Sequence, residues 1–292
     1  MPEVLPIGLI NLPCSGMRLR IFLEKGFDFM QAFLYAGAGL GFIFFMTCLG
    51  SATVFLFRKT DPGKMQQVFL GFAAGVMIAA SVWSLLLPAI EESESMGIPG
   101  WIPAAGGFLL GFMFLFGLDK FIPHLHPFTN VKEGLPSNSK RTTLLFSAVT
   151  LHNIPEGMAV GLAFALAAKH GGGAELYAPA IALALGIGIQ NFPEGAAISL
   201  PLRQEGFSVG KSFLWALLSG AVEPVFGFLA VLLAIWVAPF MPWLLSFAAG
   251  SMIYVVVEEL IPEANMGKHS HAGTMGVMAG FLVMMVLDVA LG

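Results

Sequence analysis

The sequence predicts an all-α membrane protein, a single bundle of eight transmembrane helices. Three observations predict it. Hydrophobic residues make up 57% of the 292, and the mean hydropathy is +0.83. Charged residues make up only 11%, against about a quarter in a typical soluble domain. Eight apolar runs each approach or exceed the roughly 20 residues that a spanning helix needs. A soluble globular domain and a disordered chain are thereby excluded. The formal net charge of −4 leaves no basic surface for nucleic acid.

The predicted spans cover 30–57, 68–90, 101–122, 143–168, 177–201, 212–238, 241–262 and 273–291. The first carries Gly37-Ala38-Gly39 and Gly41, and the second Gly71-Phe72-Ala73-Ala74-Gly75. Small residues of this kind let membrane helices approach closely. The third and fourth are joined by the longest connection, 123–142, with Pro123, Pro127, Gly134, Pro136 and Ser137, which predicts a flexible linker. All other connections are short, so one domain over 30–292 is expected. Residues 1–29 precede it. The run from Val4 to Cys14 is too short to span, and Arg18, Arg20 and Lys25 follow it, the reverse of a secretory signal. Residues 1–29 form an interfacial segment or a short extra helix. Cys14 and Cys48 form no metal-binding pair of the CxxC type and read as small apolar fillers.

Cations set the orientation. Arg58, Lys59, Lys64, Lys120, Lys132, Lys140, Arg141, Arg203, Lys211 and Lys268 fall on one side, ten of the fourteen Lys and Arg. That side is expected to be cytoplasmic and both termini extracytoplasmic, although the N-terminal cations run against the rule.

Ionisable groups inside spans are costly, about 2.5–3.5 kcal/mol each at a helix centre, and so mark functional positions. Span four reads His152-Asn153-Ile154-Pro155-Glu156-Gly157, and span five reads Gln190-Asn191-Phe192-Pro193-Glu194-Gly195. This is one motif written twice, and internal repeats at membrane depth are common in transporters. His152 and Glu156 share a helix face at i,i+4, as do Gln190 and Glu194. Pro155 and Pro193 cannot donate to the carbonyls of Leu151 and Ile189. Gly157 and Gly195 permit a close neighbour. If the two helices face each other, one imidazole, two carboxylates and three amides converge into a cation site. One neutral imidazole with carboxylates suits Zn²⁺, Fe²⁺, Mn²⁺ or Cd²⁺.

Other polar groups extend the picture. Glu223, beside Pro224 in span six, is a third mid-membrane carboxylate. Glu258, Glu259 and Glu263 lie near the cytoplasmic end of span seven, either as a solvated helix end or as an ion exit path. His124 with His126, and His269 with His271, are alternating pairs in cytoplasmic loops. They either receive metal at the exit or are simply solvated. Asp119 and Asp288 read as interfacial caps or paired groups. Glu91-Glu92-Ser93-Glu94 reads as a polar outer loop whose field concentrates cations weakly.

The two motifs resemble those of the ZIP family of divalent-metal transporters. Ile198-Ser199-Leu200-Pro201-Leu202, the run Gly71 to Ser81 and Val222-Glu223-Pro224 point to its GufA-type branch. The resemblance covers about 30–292 and implies an inverted-repeat ZIP bundle with spans four and five at the heart of the pathway. It implies a binuclear site: Met77, His152, Glu156, Gln190 and Glu194 for one metal; Asn153, Glu156, Asn191, Glu194 and Glu223 for the second. Met77 reads as core from the residues alone. Some bacterial relatives carry an acidic residue where this chain has Asn191, so its second site has one formal charge less.

The expected function is secondary transport of Zn²⁺ and related divalent metals into the cytoplasm, with Zn²⁺, Cd²⁺, Fe²⁺ or Mn²⁺ as cargo and no cofactor. A metal-selective channel or a metal sensor could use the same site. An intramembrane zinc hydrolase is disfavoured, because there is no HExxH and only one intramembrane histidine, so no enzyme is expected. No P-loop suggests ATP drive. The expected partners are divalent ions and the lipid bilayer, with a second copy of the chain as the one protein partner considered. The expected location is the plasma (inner) membrane of a bacterium.

Overall fold

The structure, a computed structural model, describes residues 14–56, 63–121, 124–125, 132–133, 141–170, 174–204, 206–265 and 271–291. Side chains at 14–29, 32, 63–66, 119, 121, 124–125, 132–133, 141–149, 151–152, 174, 201, 204, 235, 237 and 263 are outside that description. The chain is an all-α membrane bundle. Among the described residues, seven helical segments are long and apolar enough to cross a membrane. The helix over 141–169 is the eighth long one, at 29 residues.

The helices follow the predicted order with instructive differences. α1 (Cys14–Leu56) is one continuous helix of 43 residues and starts well ahead of the expected boundary at 30. Span two is composite: α2 (Gly63–Ala80), a π-helical stretch over Ser81–Leu86 and α3 (Leu87–Ser95). Next come α4 (Trp101–Phe121), α5 (Arg141–Lys169) and α6 (Ala178–Gln204). Span six is broken at Ala221 into α7 (Val209–Gly220) and α8 (Val222–Val237). Span seven is α9 (Met241–Val255), a second π stretch over Val256–Leu260 and α10 (Ile261–Ala264). α11 (Ala272–Leu291) ends the chain's helices. The connection expected to be an irregular linker contains a short antiparallel ladder, β1 (His124–Leu125) with β2 (Lys132–Glu133).

Proline explains the three irregular spans. A proline removes the donor for the carbonyl four residues earlier. Pro88 does so for Ser84 and Pro262 for Glu258, and each of those carbonyls lies inside a π stretch. Widening one turn absorbs the missing donor without ending the helix. Pro224 does the same for Gly220, and there the helix breaks instead.

The helices sort into two packed groups. α1 lies along α6, and α5 along α8, with α7 against α1 and α6. α2 lies along α11, and α4 along α9, with α3 on α4 and α9 and α10 on α2. The groups meet where α2 packs on α6 and α5 on α9. Span two, α6 and span seven are the most enclosed, whereas α4 and α11 lie at the periphery.

Candidate metal centre

Two motif glycines bring the site helices together. A methyl group at Gly157 would overlap the backbone of Glu223 on α8, and one at Gly195 would overlap the Thr47 carbonyl on α1. Only glycine therefore lets α5 meet α8, and α6 meet α1, at this depth. The consequence is that Glu156, Asn153, Gln190, Asn191 and Glu223 are all essentially inaccessible, at 0–1% exposure. Glu194 is half-buried. Glu156, Glu194 and Glu223 lie within electrostatic reach of one another.

The amides are used in one consistent way. Gln190 Nε2 donates to Glu156 Oε1 at 2.8 Å. Asn191 Nδ2 donates to Glu223 Oε2 at 2.7 Å and to the Ile43 carbonyl at 3.5 Å. Asn153 Nδ2 donates to the Ser219 carbonyl at 3.0 Å. Every donor faces protein. What remains is five buried oxygens with no partner among the described residues: Asn153 Oδ1, Glu156 Oε2, Gln190 Oε1, Asn191 Oδ1 and Glu223 Oε1. Buried acceptors are ordinarily satisfied, because desolvating one without a bond costs about 1–3 kcal/mol. A set made only of acceptors, with carboxylates among them, has the chemistry of a cation site.

The structure places the predicted residues differently from one another. Asn153, Glu156, Gln190, Asn191 and Glu223 are brought together across α5, α6 and α8. Met77 on α2 is buried in the apolar core at 1% exposure. His152 keeps its helical place one turn before Glu156, and its side chain lies outside the described residues. At the far end of span seven, Glu259 is buried and Glu258 exposed on the second π stretch. His124 falls on β1 and Glu263 on α10, both with side chains outside the description. His126 and His269 lie outside the described residues, as does the side chain of Asp119, and His271 is exposed. Asp288 is paired as expected: it accepts from Ser84 of the first π stretch at 2.5 Å. The outer acidic run is corrected in one respect. Glu92 is not a solvated charge but is buried and bound to Lys169 and His170, because α3 turns it inward against the end of α5.

Sequence reasoning missed the backbone members of the site. The Ser219 and Ile43 carbonyls hold two of the amides. A backbone carbonyl carries no sequence signal. Pro224, which cannot donate to the Gly220 carbonyl, is the sequence feature beside which α7 ends.

The family model described as ZIP Zinc transporter matches residues 129–288. The chain is 39% identical to "Zinc transporter GufA" of Myxococcus xanthus, over 90% of this chain and 98% of that protein. It is 38% identical to "Zinc transporter ZIPB" of Bordetella bronchiseptica, over 98% of this chain and 89% of that protein. It is 35% identical to "Zinc transporter ZIP11" of Homo sapiens, over 87% and 96% of the two chains.

Proposed function

This chain belongs to the ZIP family of zinc transporters, in its GufA-type branch, and from that premise we propose that it is a secondary carrier of Zn²⁺ and related divalent metals into the cytoplasm. The observation that carries the reading is the set of five buried, unpartnered oxygens between α5, α6 and α8. A hydrated dication enters from the extracytoplasmic side. It exchanges water for His152, Glu156, Gln190 and Glu194, with Met77 at the edge of that set. Asn153, Asn191 and Glu223 hold a second ion that shares Glu156 and Glu194. Glu156, Glu194 and Glu223 offset the charge of the cargo. Movement of one helix group against the other then exposes the ion inward. Glu258 and Glu259 on span seven, with Glu263 and the loop histidines His124, His126, His269 and His271, receive it at the exit.

The metal is cargo in this reading, and no resident cofactor takes part. Nor does any residue perform catalysis, so the chain is read as no enzyme. His152 must be neutral to bind, and protons compete for the carboxylates, so metal binding weakens on acidification. The chain sits in the plasma membrane of a bacterium with both termini outside, an orientation supported by the cation count of its loops. The test is equilibrium binding of Zn²⁺ to the purified protein. Binding in the intact chain that weakens about tenfold or more in Glu156→Gln supports the reading. Equal binding in both removes the site from α5.

A further inference from the structure

A second charged cluster lies away from the metal centre, where α3 and α5 both end. The Glu92 carboxylate on α3 is 4% exposed. Its Oε1 accepts from Lys169 Nζ, and its Oε2 lies 2.7 Å from His170 Nε2. Lys169 is the last residue of α5, and His170 follows it. Two cationic or donor side chains from one helix end thus converge on one buried carboxylate of another.

The position of this contact gives it meaning. α3 packs on α4 and α9, whereas α5 packs most extensively on α8 and meets the other group along α9. The cluster therefore crosses from one helix group to the other. α5 also carries Asn153 and Glu156, so a fastener at its end acts on the motif helix itself. The receiving side is firm. Ser95 Oγ donates to the Glu92 carbonyl at 2.7 Å, and Ser93 Oγ donates to the Ile98 carbonyl at 3.1 Å. Gly97 closes the turn at φ +77°, a conformation that glycine adopts without strain. A buried carboxylate is strongly disfavoured once its partners leave. Separation of the two groups at this end must therefore hydrate Glu92, and the closed arrangement is held until that happens.

We propose that Glu92, gripped by Lys169 and His170, is a latch between the two helix groups, and that its release is a step of the transport cycle. The proposal rests on the carrier reading above. The test uses the full chain in proteoliposomes, with Cys14→Ser and Cys48→Ser, carrying Glu92→Cys and His170→Cys. A reducible bis-methanethiosulfonate then bridges the two thiols. Bridging is expected to lower Zn²⁺ uptake about tenfold and reductant to restore it, with Zn²⁺ binding by the purified bridged protein changed less than about twofold. Uptake that continues through the bridge overturns the latch. So does failure to bridge when each thiol labels singly. In parallel, Glu92→Gln is expected to change the maximal uptake rate about threefold or more while half-saturation moves less than about twofold. The exchange Glu92→Lys with Lys169→Glu is expected to recover at least half of the change. An unaltered rate in Glu92→Gln also overturns the proposal. No uptake by the intact chain would overturn the carrier reading itself, whereas the bridged chain tests the latch alone.

Discussion

Gln190 on α6 donates its side-chain amide to Glu156 on α5 at 2.8 Å, and each of the two residues keeps one buried oxygen without a partner among the described residues. The bond ties the two copies of the repeated motif to each other. It also fixes which atoms remain for a ligand, since the amide nitrogen is turned to protein and the two oxygens are left. Removing the donor should therefore loosen the carboxylate rather than merely delete a ligand. Gln190→Ala is expected to weaken Zn²⁺ binding about tenfold, in the range seen when a partner of a metal ligand is lost. Isothermal titration of the purified protein checks this, and an unchanged affinity would show that the bond does not position Glu156.

Asn191 serves Glu223 as Gln190 serves Glu156, with a 2.7 Å bond. Asn191→Asp exchanges that bond for repulsion between two buried carboxylates. The metal-free protein should unfold at a lower temperature than the unaltered chain, and Zn²⁺ should raise the variant's melting temperature by more, because a ligand that binds only the folded state stabilises it. Equal Zn²⁺-induced shifts in the two proteins would place Asn191 outside the second site.

Gly157 lies against the backbone of Glu223 with no room for a methyl group. Gly157→Ala should push α5 off α8 at a cost of about 1–3 kcal/mol, the usual range for overpacking. Thermal unfolding in detergent reads the loss. A stability equal to that of the unaltered chain would mean that the helices separate there freely.

Ser84 stands in the first π stretch and donates to the buried Asp288 of α11 at 2.5 Å. Asp288 Oδ2 has no partner among the described residues, so this bond carries much of its satisfaction. Ser84→Ala should cost about 1–3 kcal/mol. Restoration of stability in Ser84→Ala with Asp288→Asn would identify the charge as the cause, and no loss in Ser84→Ala alone would dismiss the bond.

Much of this architecture is legible in the sequence, for definable reasons. The spans are legible because a bilayer demands runs of apolar residues, and such runs survive in composition. The centre of the site is legible because Asn153, Glu156, Gln190, Asn191 and Glu223 are polar where polarity is costly, and because the motif occurs twice. The early start of α1 was not, since Arg18, Arg20, Glu24 and Lys25 lower the hydropathy without interrupting a helix. The π stretches before Pro88 and Pro262 were not, because a proline signals a lost donor but not whether the helix widens or breaks. Glu92 was misread as part of a solvated run because its partners, Lys169 and His170, are supplied by a helix more than seventy residues away.

The most direct test of the account is metal uptake into proteoliposomes by the intact chain, by Glu156→Ala and by His152→Ala, with Zn²⁺, Cd²⁺, Mn²⁺ and Fe²⁺ in competition. Saturable uptake is expected in the intact chain and its abolition in both variants, with the competition ranking the cargo. Uptake that persists undiminished in both variants would contradict it, because metal would then cross the membrane without the α5 and α6 motifs.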